Sequence, residues 1–238
     1  MYWAIGLGGL GAIFGSFIAT VAVRWPASAL GGRSWCDGCG RTLRALELIP
    51  ILIWLVLRGR CSTCGARIGT LHPAIELIGA VIGMAAGVAA TGSLAVAGAV
   101  FGWILLLAGA IDFVAFRLPN PVTMALAMLG LATGVAGLAP DLTDRAVGGV
   151  AGFGTLWLIA AGYRRLRGRM GLGGGDAKLL GAIGLWLGWR ALPWVVVVAC
   201  LMGLGWALLR RMRADDRLPL GTLLAVAAFG MWIALNLR

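Results

Sequence analysis

Long apolar stretches separated by short polar loops make up most of this chain. Eight of them are predicted to be helical spans: Tyr2 to Val23, Ala74 to Ala90, Leu94 to Ile111, Pro121 to Leu138, Ala146 to Tyr163, Ala177 to Trp189, Leu192 to Leu209 and Leu218 to Leu237. A helix needs about 20 apolar residues to cross a bilayer core of about 30 Å. The short sixth span is therefore expected to be tilted or to enter the bilayer only part of the way. The pattern predicts an all-α polytopic membrane protein with about eight transmembrane helices.

The composition supports this class and narrows the partners. The 238 residues are 61% hydrophobic and 12% charged, and the mean hydropathy is +0.95. Most of the net charge of +11 lies in short loops beside apolar spans, which favours anionic lipid headgroups over nucleic acid. Met1 to Phe14 contains no Lys or Arg, so the first span is expected to be retained rather than cleaved as a signal peptide.

The basic residues are unevenly distributed between alternate loops. If the N-terminus is outside, the inward segments hold all of the 20 Lys and Arg residues except Arg145, Arg190 and Arg238. Cytoplasmic loops are enriched in Lys and Arg. The sequence therefore predicts external termini and a cytoplasmic segment between the first two spans.

That segment, residues 24–72, carries four cysteines in two similar turns. The turns are Cys36-Asp37-Gly38-Cys39-Gly40 and Cys61-Ser62-Thr63-Cys64-Gly65. Two Cys-x-x-Cys turns can present four thiolates tetrahedrally, as in closed structural zinc sites, and a cytoplasmic location argues against disulfides. We predict a zinc module with Cys36, Cys39, Cys61 and Cys64 as ligands, with a redox pair or iron as alternatives.

Two other apolar patterns each allow two interpretations. Leu48 to Leu57 is too short to cross a bilayer, so it lies either along the membrane surface or in the core of the zinc module. Glycines recur at helical spacing at Gly79, Gly83 and Gly87. Small residues on one face let helices approach closely in lipid, and packing within one chain is favoured over a dimer interface.

Asp112 and Asp176 stand at the ends of the third and sixth spans, and the predicted topology brings both to the cytoplasmic boundary. Ionisable groups at membrane depth are costly and are usually functional. Taken singly, Asp112 could be an interfacial cap or a partner of Arg117, and Asp176 could cap a helix. Lys178 is expected to meet lipid headgroups, with a substrate contact as the alternative.

Two carboxylates held close together in a poorly hydrated site cannot both ionise readily, so they share a proton. The ionised member can draw a proton from attacking water, while the protonated member polarises the peptide carbonyl. The pair therefore predicts an aspartic protease at the membrane.

The chain resembles the prepilin peptidases, the type 4 prepilin leader peptidases of the bifunctional tetracysteine type, whose glycine-x-glycine-aspartate motif also occurs in presenilin-like proteases. The resemblance covers nearly the whole chain and rests on motifs in a fixed order: Gly15-Ser16-Phe17, Arg24-Trp25-Pro26, both cysteine turns, Ile49-Pro50, Leu57-Arg58-Gly59-Arg60-Cys61, His72-Pro73-Ala74-Ile75-Glu76, Ile111-Asp112, Leu118-Pro119-Asn120 and Gly173-Gly174-Gly175-Asp176-Ala177-Lys178-Leu179.

The resemblance implies that Asp112 and Asp176 are the catalytic pair. It also implies that the substrate is the precursor of a type IV pilin or pseudopilin, cut at the cytoplasmic face of the bacterial inner membrane. A second implied activity is methylation of the new N-terminal amine with S-adenosylmethionine, for which no binding residue is assigned. Ala19 and the segment from Leu218 to Thr222 depart from the usual pattern, which has Pro-Phe-Gly-Pro at the latter place. Neither departure is expected to affect the aspartates.

Two other functions fit the same residues. A non-enzymatic membrane adaptor could use the zinc module to recruit a partner, and a related intramembrane protease could act on other substrates. The expected organisation is a first helix at residues 1–23, the zinc module at residues 24–72 and a membrane-embedded peptidase bundle at residues 73–238.

Overall fold

The computed structural model describes residues 1–25, 35–36, 38–168, 172–213 and 216–237, with only the backbone described at residues 45 and 46. Pro26 and Asp37 of the quoted motifs, and Arg33, Arg169 and Arg238 of the charge distribution, lie outside these residues. Within the described residues the chain is almost entirely helical, and its β structure consists of the bridges Trp35–Thr42 and Arg60–Arg67.

The described helices are α1 (Tyr2–Arg24), α2 (Leu52–Val56), α3 (Leu71–Ala89), α4 (Gly92–Ala115), α5 (Asn120–Val135), α6 (Leu142–Arg167), α7 (Gly174–Leu187), α8 (Leu192–Leu209) and α9 (Leu220–Asn236), with a short 3-10 turn at Ala45–Leu48. Each of the eight predicted spans coincides with a helix. The predicted all-α membrane class, with a cysteine-rich segment between the first two spans, is confirmed.

The helices differ in their capacity to cross a bilayer. Five of those described, α1, α3, α4, α6 and α8, are long and apolar enough to span it. Helices α5 and α9 are apolar but have 16 and 17 residues, and α7 has 14. The short α7 agrees with the expectation for the sixth span.

The chain forms two compact units, Met1–Ala99 and Val100–Arg238. In the first unit, glycines bring α1 and α3 into backbone contact. A methyl group at Gly11 would collide with the Gly79 carbonyl oxygen, and one at Gly15 would lie 2.7 Å from Glu76 Cα. The close contact is made within one chain, so the favoured interpretation of the glycine pattern is confirmed.

Helix α7 lies at the centre of the second unit. It packs against α6 through Gly148, where an added methyl group would lie 2.5 Å from the Gly184 carbonyl oxygen. It also packs against α5, because Trp186 Nε1 donates to the Leu126 carbonyl at 2.6 Å. These contacts fix the helix that carries Asp176.

Arg145 joins α5, α7 and the loop before α6. Its side chain is 1% exposed, and its guanidinium donates to the carbonyl oxygens of Gly130, Leu138, Ala139, Pro140 and Leu185. A buried cation needs such partners. The sequence pattern assigned Arg145 to an external loop. It did not predict that the side chain is buried and joins three parts of the second unit.

The segment from Leu48 to Leu57 has features of both a membrane-surface helix and a core element of the cysteine-rich module. Trp54 packs against Gly59 of the cysteine-rich module, where a methyl group would lie 3.0 Å from Trp54 Cζ2. Leu52, Leu55 and Val56 are 62%, 57% and 73% exposed. One face of α2 therefore belongs to the module, and the other offers an apolar surface suited to a lipid interface.

Candidate active site and metal centre

Asp112 lies near the end of α4 and is 6% exposed. Its Oδ2 atom accepts a hydrogen bond from the Thr222 amide at 2.9 Å and is 3.3 Å from Thr222 Oγ1. The Thr222 hydroxyl also lies 2.8 Å from the Gly109 carbonyl oxygen. The first amides of a helix have no partner within that helix. Asp112 therefore caps α9 from a different helix and is held in a fixed orientation by it.

Asp176 lies in the first turn of α7 and is half-buried. Its carboxylate accepts a hydrogen bond from the Gly173 amide and lies within electrostatic range of Asp112. A methyl group at Gly173 would be 3.1 Å from Asp176 Oδ2, so glycine leaves room for the carboxylate. The interpretation of Asp176 as a helix cap is correct in part, because its carboxylate accepts a hydrogen bond from the Gly173 amide at the start of α7.

The Leu118 side chain contacts the glycines Gly175 and Gly221, one beside each aspartate. A methyl group at Gly175 would lie 2.8 Å from Leu118 Cβ, and one at Gly221 would lie 2.9 Å from Leu118 Cδ1 and 3.0 Å from Asp112 Oδ2. Any side chain at either glycine would therefore displace Leu118. The chain thus brings the loop after α4 and the first turns of α7 and α9 to one place in the second unit.

Lys178 Nζ donates to Asn120 Oδ1 at 2.8 Å, so it joins α7 to α5, and its contact with lipid headgroups stays a prediction. One expectation for this region was wrong. The segment from Leu218 to Thr222 was not expected to affect the aspartates, yet the Thr222 amide donates to Asp112 Oδ2. The one sequence signal for this contact is a hydroxyl residue in the first turn of a span that begins at a proline.

The four predicted metal ligands converge in the first unit. The Sγ atoms of Cys36, Cys39, Cys61 and Cys64 all lie within 4.8 Å of one another, and Cys36 Sγ is 3.8 Å from Cys64 Sγ. Tetrahedral Zn–S bonds of about 2.3 Å give sulfur separations of about 3.8 Å. The cluster therefore has the dimensions of a four-thiolate metal site.

The two cysteine turns have the same backbone form. The Gly40 amide donates to the Cys36 carbonyl at 2.8 Å, and the Gly65 amide donates to the Cys61 carbonyl at 3.0 Å. The φ angles of these glycines are 68° and 69°, in the left-handed region that glycine adopts without strain. The glycine after each turn is thus required by the conformation that presents the thiols.

Polar groups surround the cluster. Backbone amides of Cys64 and Thr63 lower the pKa of the Cys61 thiol to about 6, and Arg41 Nη2 lies 3.9 Å from Cys61 Sγ. Arg41 also forms a two-pronged ion pair with Glu47, which lowers the pKa of Glu47 to about 2. These contacts favour thiolate at Cys61 and hold Arg41 beside the cluster.

Comparisons with known proteins agree with this division. Residues 10–90 match the Bacterial Peptidase A24 N-terminal domain, and residues 99–208 match the Type IV leader peptidase family. The chain is 38% identical over 215 residues to a prepilin leader peptidase/N-methyltransferase of Aeromonas hydrophila, covering 88% of this chain and 73% of that protein.

Two other relatives have the same name. The protein from Burkholderia pseudomallei is 38% identical over 91% of this chain and 80% of its own length. The protein from Pectobacterium carotovorum is 34% identical over 99% of this chain and 91% of its own length. No solved structure matches this chain.

Proposed function

Because the chain belongs to the type IV leader peptidase family, we propose that it removes the leader peptide of a type IV prepilin or pseudopilin by aspartic catalysis. Asp112 and Asp176 are the proposed catalytic pair. The observation that carries this proposal is their convergence. They come from α4 and α7 and lie within electrostatic range, and the glycines beside them, Gly221 next to Asp112 and Gly175 before Asp176, contact the same side chain, Leu118.

The reaction needs one proton on the pair. The ionised aspartate takes a proton from water as the water oxygen attacks the scissile carbonyl carbon, while the protonated aspartate donates a hydrogen bond to the carbonyl oxygen. When the C–N bond breaks, the departing amine receives a proton from the pair. The two carboxyl groups exchange roles within each turnover, so they titrate as a unit.

Thr222 gives Asp112 a defined geometry for this reaction. The Thr222 amide donates to Asp112 Oδ2, and the Thr222 hydroxyl, which donates to the Gly109 carbonyl, lies 3.3 Å from the same oxygen. Catalytic groups need rotamers fixed by supporting hydrogen bonds. Thr222 is accordingly a positioning residue in this proposal.

The test replaces each aspartate with a side chain of the same shape that cannot exchange the proton. Asp112→Asn and Asp176→Asn, made in the full chain in detergent, should each reduce cleavage of a prepilin by about 10³-fold or more. Asp141→Asn is the matched control. It makes the same change at the N-cap of α6, where the side chain accepts from the Asp144 amide and Asn caps as well as Asp.

The outcomes separate the competing functions. If the chain is a membrane adaptor, the unmodified chain cleaves no prepilin, and both variants still recruit the partner of the zinc module. A protease with other substrates leaves prepilin intact but cleaves another membrane protein in an aspartate-dependent way. Mass spectrometry of the product locates the cut and reports any added methyl group.

We further propose that the tetracysteine cluster holds structural zinc. The support is the closed set of four cysteine sulfurs within 4.8 Å of one another, because four thiolates leave no open coordination position and such closed sites are typical of structural zinc. Elemental analysis of the purified chain should find one zinc per chain. Iron or no metal would contradict the proposal.

A second activity is proposed from the names of the relatives, which are N-methyltransferases as well as peptidases. When bound, S-adenosylmethionine supplies the methyl group for the new N-terminal amine.

We place the protein in the bacterial inner membrane, with external termini and with the zinc module and aspartates at the cytoplasmic face. The support is the distribution of Lys and Arg between alternate loops. An impermeant thiol reagent added to intact cells should label Arg190→Cys and should not label Arg165→Cys, in a chain whose Cys200 is replaced by Ser. The reverse labelling would contradict this orientation.

A further inference from the structure

A cavity of about 240 Å³ lies in the first unit, and no feature of the peptidase chemistry uses it. All of its lining residues belong to that unit. Helix α1 contributes Arg24 and the cysteine-rich module contributes Trp35, Arg41 and Trp54, while α3 contributes Glu76. Its walls therefore combine aromatic rings with charged groups of both signs.

Glu76 is the buried acid of this cavity. The residue is 8% exposed, and its Oε2 atom accepts a hydrogen bond from the Ile51 amide at 2.8 Å. Ile51 has a φ angle of 62°, which is strained for a β-branched residue. Strained backbone persists where surrounding structure fixes it, often beside ligands. Glu76 therefore places a buried carboxylate in the wall of the cavity.

The cavity also contains hydrogen-bond donors that lack partners. Arg41 Nε and Trp54 Nε1 are buried, and neither finds an acceptor among the described residues. Buried N–H groups in native proteins are almost always paired. A ligand that carries acceptor atoms can satisfy them with a small shift of either side chain.

Aromatic and cationic groups complete the wall. The Arg24 guanidinium lies 4.0 Å from the centre of the Trp35 ring, so this pair forms a flat, positively charged surface. Arg side chains bind carboxylates and stack on flat rings. The cavity thus suits a ligand with a flat apolar ring, hydroxyl or ammonium donors and a carboxylate.

We propose that this cavity is the binding site for S-adenosylmethionine, with Glu76 and Trp35 as its main contacts; this inference depends on the proposed methyltransferase function. The ribose hydroxyls or the ammonium group satisfy Glu76, and the carboxylate of the methionine portion pairs with the arginines. A phosphodiester lipid headgroup fits less well, because its anionic oxygens would face the buried Glu76 carboxylate.

The test measures binding of S-adenosylhomocysteine by calorimetry to the full zinc-loaded chain in detergent. Prepilin cleavage is measured on the same preparation of the unmodified chain. Glu76→Gln keeps the shape and an acceptor for the Ile51 amide, and Trp35→Leu removes the ring. Glu76→Gln should weaken binding by about tenfold or more, as expected for a lost hydrogen bond to a charged group. Trp35→Leu should weaken it by about threefold or more, because a stacking contact is lost. Asp141→Asn in the second unit is the control and should bind as the unmodified chain does.

Each outcome has a separate meaning. If the unmodified chain cleaves prepilin but does not bind S-adenosylhomocysteine, the inference fails while the peptidase proposal stands. If the unmodified chain binds and both variants bind equally well, the site is elsewhere and the inference is overturned. Zinc content and the thermal midpoint of each variant confirm that the module is folded. If Glu76→Gln does not fold, the binding measured with Trp35→Leu decides the test.

Discussion

The cysteine cluster and the aspartate pair solve the same problem, the convergence of reactive side chains, in different ways. Each cysteine pair lies within one turn, and local hydrogen bonds such as that from Gly40 to Cys36 fix its geometry. Asp112 and Asp176 come from separate helices, and the contacts that orient them, such as Thr222 to Asp112, cross 110 positions of the sequence. The first site is therefore specified locally, whereas the second depends on the packing of a whole unit.

The largest expected effect is on the zinc content of the cysteine cluster, the locally specified site. Cys61→Ser should remove the metal from the purified chain, because a structural zinc site contributes about 10–16 kcal/mol and needs all of its ligands. Cys200→Ser changes an exposed cysteine of α8 and should leave the zinc content at one per chain. Zinc retained by Cys61→Ser at the unmodified level would show that the cluster is not the metal site.

The next effect tests the packing of the second unit. Arg145→Met should lower the free energy of unfolding by about 3 kcal/mol or more, because it leaves buried carbonyl groups unpaired at about 1–3 kcal/mol each. Arg190→Met is the control, since the Arg190 side chain is 76% exposed. Thermal unfolding in detergent measures both, and equal midpoints would contradict the role given to Arg145.

A smaller effect concerns the orientation of Asp112. Thr222→Val keeps the amide but removes the hydroxyl that joins Thr222 to the Gly109 carbonyl, one turn before Asp112. Because this contact fixes α9 against the Asp112 helix, kcat should fall by about threefold to tenfold while KM changes little. Thr222→Ser should restore kcat. A variant that raises KM alone, or a Ser variant as slow as Val, would argue against a positioning role.

The smallest effect concerns Glu47 beside the cysteine cluster. The pKa of Glu47 in the folded chain is about 2, below the ordinary 4.5, so its stabilisation is present above pH 4.5 and is lost as the pH falls toward 2. The difference in thermal midpoint between the unmodified chain and Glu47→Gln should therefore be smaller at pH 3 than at pH 5. A difference that stays the same from pH 5 to pH 3 would indicate an ordinary pKa.

The same contrast explains how far the sequence could predict the structure. Spans such as α8 were predicted to the residue because apolar runs are local, and the cysteine turns were predicted because their spacing defines their form. The capping of α9 by Asp112, the burial of Arg145 and the contact of Lys178 with Asn120 were not predicted. Each depends on which helices become neighbours, and no periodicity in one helix encodes that choice.

The central claim is that Asp112 and Asp176 act as one catalytic unit. Prepilin cleavage by Asp112→Asn, Asp176→Asn and the double variant tests it most directly, because residues that act together have strongly non-additive effects. The claim predicts that each single variant loses about 10³-fold or more and that the double variant loses no more than the worse single one. Losses that multiply in the double variant, or full activity in either single variant, would contradict it.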